Sequence, residues 1–336
     1  MRALRTQPKD KTLRRLAIAS MPDPTPASGE LLVRQISSSL NPVDLETATG
    51  AGIAQVLGIP APLTPGVDVA GEVVAVGPNV TRFAVGDRVL AYTGVPNPRA
   101  FAEFVIADQA WAAAWPDTVP DQAAGFLPLV GSTAALAVRL MQLGPDSRVL
   151  VLGGAGSVGH LALQLAARTG ASVDTTASTH DTEYLQSLGA ATVMDYATVD
   201  HARQGRVYDA LLDTQGGKVL SAALQAVKPG ALVVSLKSVP PLDALHAAGI
   251  EPRGFLRVML PLVAGRSRKA VTRAGAVLEP IVTSPDGAHL AELASLVGSG
   301  HLTVTTGSAV AFDDLPRTMA AAAGRHTSGR KPVIVF

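Results

Sequence analysis

The chain has 336 residues, enough for about two domains at ~150 residues each, and a chain of this size buries roughly three quarters of its unfolded surface, so it needs neither disulfide nor metal to be stable. Of its residues 47% are hydrophobic and 16% charged, and 28 basic against 27 acidic side chains leave a net charge of +1, which gives no electrostatic footprint for nucleic acid or an anionic membrane. No apolar run approaches the ~20 residues of a membrane helix, the N-terminus has no apolar signal core, and the absence of cysteine excludes disulfides and a thiol nucleophile; a cytoplasmic location is the resulting expectation.

Residues 1–124 read as short strands broken by Pro and Gly, among them LLVRQISSSL, VDVAGEVVAVG, DRVLAYTG and AFAEFVIA. They predict a β-dominated, partly barrel-like domain. From about Asp121 the pattern changes. QAAGFLPLVGSTAALAVRLMQLG has helical periodicity and stops at Gly144-Pro145, and RVLVLG (148–153) is the continuous apolar run of a buried parallel strand. A helix follows in HLALQLAARTG, then a strand in SVDTTAS, and the pieces ATVMDY, YDALLDT, VLSAALQAV and ALVVSL continue the alternation. Residues 125–283 are therefore expected to form a doubly wound parallel α/β sheet. Residues 284–336 return to helix and strand, close with KPVIVF and complete the first domain. Residues 250–275 fit the alternation poorly. Their Arg253, Arg257, Arg266, Arg268, Lys269 and Arg273 read as a solvated basic helix pair, or else as a lid or dimer element beside a phosphate-bearing ligand.

The strongest local signal is Gly154-Ala155-Gly156-Ser157-Val158-Gly159, a G-x-G-x-x-G match between an apolar strand and a helix. In that setting the first Gly permits the tight turn, the second lets backbone approach a pyrophosphate, and the third lets helix and strand pack. The helix N-terminus then offers N–H groups and a partial positive charge. About 20 residues on, an acid would grip the ribose 2′-hydroxyl of NAD. This strand ends instead in Ser178 and Thr179, whose hydroxyls can donate to a 2′-phosphate, so NADPH is the expected cofactor. Asp174 lies four residues before the strand end, ~13 Å back along it and out of reach of the ribose; it is an oddity in a buried strand.

Several segments, in order, resemble the medium-chain dehydrogenase/reductase superfamily, specifically its zinc-independent quinone oxidoreductase branch. They are LNPVDLETATG (40–50), TPGVDVAGEVVAVGPNVTRFAVGDRV (64–89), RAFAEFVIA, AAGFLPLVGSTAALAV, GGAGSVGHLALQLAARTGA, YDALLDTQGG, VKPGALVVSL and GRHTSGRKPVIVF. The resemblance implies a Rossmann NADPH-binding domain beside a β-rich GroES-like catalytic domain. It places Thr133 near the nicotinamide, Tyr196 and Arg330 near the 2′-phosphate, and Thr214 and Gly216 after the strand that passes under the nicotinamide. It also implies a homodimer formed through the edge strand near Val277–Thr283. Where the family often has Gly after VKPGALVVS, this chain has Leu236-Lys237-Ser238, a bulkier loop beside the cofactor.

In the zinc-dependent branch a Cys stands where this chain has Asn41, and G-H-E stands where it has Gly66-Val67-Asp68. Three good ligands for a catalytic zinc are not there, and no His pair has ligand spacing. His160 reads as a helix-start residue. The expected chemistry is hydride transfer from NADPH, with the protein supplying orientation and a hydrogen-bond donor for the charge that develops on a carbonyl oxygen. The resemblance makes Asn41 the first candidate for that donor or for holding the nicotinamide ribose. Glu46 is the second; in an apolar cleft with a raised pKa it could protonate the product, and it reads equally as a solvated loop carboxylate. Asp44 is expected to hold backbone, and Tyr92 is a weaker pocket candidate.

The leading reading is an NADPH-dependent quinone or enone reductase acting on a small molecule, with no nucleic-acid or membrane partner. The alternatives are an enoyl reductase or tailoring enzyme of polyketide or other secondary-metabolite biosynthesis, and a cofactor-binding protein with little turnover.

Overall fold

The computed structural model describes residues 1–7, 10–59, 61–247, 251–252, 256–323 and 330–336. Of the basic stretch, Arg253 lies outside the described residues, while Arg257, Arg268, Lys269 and Arg273 lie on one helix.

The chain opens with β1 (Arg2–Arg5) and β2 (Ala17–Ser20), paired antiparallel. In β3 (Glu30–Ser39) side chains alternate across the strand, so Leu31, Val33, Gln35 and Ser37 share one buried face. After α1 (Pro42–Thr49) and α2 (Gly52–Leu57) come β4 (Asp68–Val76), β5 (Arg88–Tyr92), β6 (Phe104–Asp108) and β7 (Ala112–Ala114). A long helix, α3 (Asp121–Met141), leads into β8 (Arg148–Leu152), α4 (Ser157–Ala167), β9 (Ser172–Ala177), α5 (Thr182–Ser187), β10 (Thr192–Asp195), β11 (Tyr208–Asp213), α6 (Gly217–Ala223) and β12 (Val227–Ser235). The chain finishes with α7 (Leu242–Ala247), α8 (Leu256–Arg273), β13 (Val277–Pro280), α9 (Gly287–Gly298), β14 (Ala309–Ala311), α10 (Leu315–Ala322) and β15 (Val333–Val335).

Two compact units result: Met1–Ser132 with Ser284–Phe336, and Thr133–Thr283. The division falls inside α3, not at residue 124 near its start, because the change of composition at Asp121 marks where a helix begins and that helix runs on unbroken. A second expectation also needs correcting. By length and composition α3, 21 residues long, is apolar enough to cross a membrane, an 18-residue stretch of it having a mean hydropathy of 1.5. Two thirds of that stretch (67%) is buried inside the protein, and Phe126, Leu127, Val130 and Ala134 are fully enclosed. This is the pattern of a core helix that is hydrophobic all round.

The first unit is built on a seven-stranded sheet. Its main path runs β14-β15-β3-β4-β5-β7, with β6 paired to β3. One core gathers Leu31, Val33, Val69, Val73, Val89 and Val105 on a sheet face. A second joins Leu4, Phe101, Phe312, Leu315, Met319 and Ile334. The second unit holds six parallel strands in the order β10-β9-β8-β11-β12-β13. This is the doubly wound order, in which the direction of winding reverses between β8 and β11 and ligands bind beyond the carboxyl ends of the strands. Leu150, Leu152, Leu211, Val233 and Val271 pack one face of that sheet.

The buried Asp174 has a structural role at the opposite end of the sheet. Arg148 at the start of β8 donates to its Oδ2 from Nη2 at 2.7 Å and Nε at 3.1 Å, and the Tyr208 hydroxyl at the start of β11 donates to the same oxygen at 2.9 Å. The guanidinium also lies 5.3 Å from the Tyr208 ring centroid, a cation–π contact. The carboxylate thus ties three adjacent strands together. Removing one partner of a buried ion pair strands the other charge, and the Arg148 side chain is 44% exposed, which tempers the loss. Arg148→Met should therefore lower the unfolding free energy by about 2–3 kcal/mol in urea denaturation. The double variant Arg148→Met with Asp174→Leu should recover part of it; additive losses would contradict the pairing.

Candidate active site

The glycine turn lies at the carboxyl end of β8. Gly153 N–H donates to Thr176 Oγ1 and Gly154 N–H donates to Thr176 O, each at 3.0 Å, so the turn is stitched to the end of β9. Side chains are excluded where the motif needs glycine. A Cβ on Gly154 would overlap Thr175 Oγ1, and one on Gly159 would overlap Gly153 O. Gly156 is the N-cap of α4 in an extended conformation and brings no capping side chain to the first helical turn. Backbone N–H groups and the positive end of the helix dipole are therefore offered to an anion. His160 turns inward, with Nδ1 at 3.0 Å from Gly156 O and 1% exposure, a helix-start role.

The predicted cofactor contacts of this unit collect at the same carboxyl edge. Ser178 and Thr179 follow β9, and Tyr196 follows β10, 67% exposed, with its N–H on Ala177 O. Thr214 follows β11 and donates to Leu152 O at 2.7 Å. Gly216 sits in the same loop at φ 72°, and Leu236 follows β12. Thr133 on α3 shares a 2.8 Å hydrogen bond with Thr283 beyond β13. Sequence reasoning missed what holds these loops. Asp213, fully buried, accepts the N–H groups of Gln215 and Gly216 on Oδ1, at 3.0 and 2.7 Å, and the Ser235 hydroxyl on Oδ2 at 2.7 Å. Ser235 Oγ in turn accepts the N–H groups of Lys237 and Ser238. One carboxylate and one hydroxyl brace the loops after β11 and β12. The signal was in the sequence as an acid at the end of an apolar strand.

The first unit carries a different cluster. Asn41 is 1% exposed; its amide donates to Asp68 Oδ2 at 2.7 Å and to Ser39 Oγ and O at 3.2 and 3.3 Å, and its Oδ1 accepts from Lys331 Nζ at 2.7 Å. Both amide hydrogens are engaged inside the protein, so in this structure the side chain holds no spare donor for a carbonyl oxygen. Asp68 also accepts Ser39 Oγ–H at 2.6 Å and Leu129 N–H at 2.7 Å. Asp44 accepts the Asn41 N–H at 2.7 Å, the backbone role expected of it. Glu46 is half-buried on α1 with its carboxylate against Gly52. Tyr92 is buried in β5 opposite Asp68. Arg330 is exposed, just before Lys331. Lys331, passed over for its neighbour Arg330, is the cation of the cluster.

This donor set does not suit a catalytic zinc. An amide, a buried Val67 and a carboxylate whose oxygens are already hydrogen-bonded replace the soft ligands the metal needs. Among the described residues no group of three or more His, Cys, Asp or Glu is placed to hold a metal ion.

Burial dominates the titration of the two carboxyls. Desolvation pushes Asp44 up to about 8 and Asp68 up to about 6, opposed by their hydrogen bonds and by Lys331. An acid with a raised folded pKa holds its proton more tightly folded than unfolded. Its stabilising contribution is present at low pH and is lost as pH rises through the folded value. Folding stability should therefore fall with pH between about 4 and 8 on account of Asp44. Asp44→Asn, neutral throughout, should flatten that part of the stability–pH curve from urea melts. An unchanged slope would show that Asp44 is ionised in the folded protein.

Residues 27–117 match the family model described as an alcohol dehydrogenase GroES-like domain, and residues 188–331 match one described as a zinc-binding dehydrogenase. The chain is 36% identical over 207 residues to the chloroplast envelope quinone oxidoreductase homolog of Arabidopsis thaliana, covering 59% of this chain and 63% of that protein. It is 34% identical over 215 residues to the NADPH-dependent alkenal/one oxidoreductase, chloroplastic, of the same plant, covering 62% of this chain. The matched segments span 63% and 55% of these relatives' own lengths. The quinone oxidoreductase of Coxiella burnetii superposes with a TM-score of 0.85 at 26% identity, over 100% of this chain and 99% of that one. With both domain types in sequence, a parallel Rossmann sheet and a separate β-rich GroES-like unit, and this likeness to quinone oxidoreductases, the chain belongs to the quinone-oxidoreductase-like branch of the medium-chain dehydrogenase/reductase superfamily.

Proposed function

We propose that this chain is a zinc-independent, NADPH-dependent reductase that passes hydride to a quinone or an α,β-unsaturated carbonyl compound, working in the cytoplasm as a homodimer. The observation that carries the reading is the glycine-rich turn between β8 and α4, fastened to the end of β9. The names of the two plant relatives, a quinone oxidoreductase homolog and an alkenal/one oxidoreductase, support the substrate class. Support for the dimer is narrower: β13 is an edge strand of its sheet, and Val277 on it is 55% exposed.

When bound, the reduced nicotinamide supplies the hydride. The first turn of α4 would hold its pyrophosphate by backbone N–H groups. Ser178 and Thr179, directly after β9, bring hydroxyls in place of an acid, which favours a 2′-phosphate over a bare ribose. Asp213 and Ser235 fix the loops carrying Thr214, Gly216 and Leu236, so the edge they form is rigid before any ligand arrives. Asn41 spends its hydrogens on Asp68 and Ser39 and acts by positioning. The proton that completes the reduction is drawn from solvent, with Glu46 on α1 the carboxyl able to relay it.

NADPH fluorescence, followed with a panel of quinones and enones, tests the assignment. Wild-type protein should oxidise NADPH with at least one member and prefer it to NADH. In Gly156→Asp the new Cβ meets only Gly153 O, at 3.1 Å, so the fold should persist. Its carboxylate would face the pyrophosphate, and NADPH affinity should fall at least about a hundredfold. Unchanged affinity in a folded Gly156→Asp protein would refute the site.

A further inference from the structure

Beside Ser178 stands the exposed imidazole of His180. β9 ends at Ala177, Ser178 is extended, and residues Thr179–Asp181 form a single 3₁₀ turn. Within it Ser178 Oγ lies 2.7 Å from His180 Nδ1, and His180 Nε2 lies 3.2 Å from Asp181 Oδ2. The imidazole is 79% exposed, while the Asp181 carboxylate is only 19% exposed. Hydroxyl, imidazole and carboxylate form a three-member chain at the end of the strand that selects the cofactor.

The direction of the first hydrogen bond depends on the charge of the ring. In the neutral ring Nε2–H goes to Asp181, and Nδ1 has only a lone pair. Ser178 must then donate its one hydrogen to Nδ1 and can only accept from a ligand. In the imidazolium both ring nitrogens donate. Ser178 Oγ then accepts from Nδ1–H, and its own hydrogen is released to a ligand. The same proton cancels the charge of Asp181, which would otherwise repel a phosphate and suit a ribose hydroxyl.

Resting on the NADPH reading, we propose that His180 is the specificity-determining positioning residue of the 2′-phosphate subsite. Binding of NADP(H) is coupled to uptake of one proton from solvent by His180, which turns the Ser178 hydroxyl toward the phosphate and neutralises Asp181. Other titratable groups on the elements packed against this turn are Glu183 and Tyr184 on α5, and Asp195 with the adjoining Tyr196 at the end of β10. Asp195 Oδ1 is occupied by Ala197 N–H at 2.9 Å. None of these groups is basic, so the imidazolium is the positive charge these elements can offer. A dianionic phosphate beside the imidazole favours the protonated ring over the neutral one.

The test is calorimetric titration of the full-length protein with NADP⁺ and with NAD⁺, in two buffers of different ionisation enthalpy at one slightly alkaline pH. There a phosphate monoester is already a dianion and takes up no proton itself. NADP⁺ binding should take up close to one proton and NAD⁺ binding none, and NADP⁺ affinity should fall by more than about tenfold between pH ~6.5 and ~8.5. His180→Gln should lose both the proton uptake and the pH dependence while keeping NAD⁺ affinity. Preference for NADP⁺ with buffer-independent heats, or proton uptake that survives in His180→Gln, overturns this inference and leaves the NADPH reading standing. A wild-type protein that binds NADP⁺ no better than NAD⁺ overturns both.

Discussion

At the carboxyl end of the parallel sheet, backbone must come within hydrogen-bond reach of backbone with no side chain between. Gly154 N–H donates to the Thr176 carbonyl across the gap between β8 and β9, and α4 starts at once, so Gly159 meets Gly153 with no room for a Cβ. Everything functional in the second unit follows from that closeness. It aims a helix N-terminus past a bare backbone, and it fixes where the end of β9, with Ser178 and His180, stands relative to the turn. A side chain larger than hydrogen at the first or third glycine would force the helix off the sheet and disperse the site.

Each unit then solves a similar electrostatic problem with a buried carboxylate. Asp213 and Asp174 stand at opposite ends of the Rossmann sheet, the first accepting backbone N–H groups and a hydroxyl, the second an arginine and a tyrosine. Asp68 does the same in the first unit, with Ser39, Asn41 and the Leu129 N–H as donors. A buried carboxylate is tolerable when donors meet it, and Asp213 and Asp68, with both oxygens hydrogen-bonded, make stiff nodes. In the zinc-dependent branch a metal and its ligands occupy the stretch around Asn41 and Asp68. This chain fills it with a hydrogen-bonded cluster and the Lys331 ammonium.

Much of this was legible from residues alone. The alternation of RVLVLG, the glycine turn and HLALQLAARTG carried enough periodicity and turn chemistry to place the glycine turn between a parallel strand and a helix, and the parallel sheet follows that reading strand by strand. What escaped was long-range. Asp174 looked out of place because its partners Arg148 and Tyr208 are 26 and 34 residues away. Asn41 looked like an available donor because nothing local shows that Asp68 and Lys331 converge on it across 27 and 290 residues. The apolar count along α3 was misjudged because Gly, Ser and Thr interrupt a run that remains apolar enough on average to resemble a membrane span. His180 drew no notice because a single exposed histidine gains meaning only once Ser178 and Asp181 are seen on either side of it.

The central claim is that the turn between β8 and α4 grips a dinucleotide diphosphate. A crystal structure of the protein with NADP⁺ tests it most directly, read as the distances from the pyrophosphate oxygens to the backbone N–H groups at the start of α4. The account predicts at least two such contacts at about 2.7–3.2 Å, with the 2′-phosphate beside Ser178. A coenzyme bound elsewhere, with that turn empty of phosphate, would contradict it.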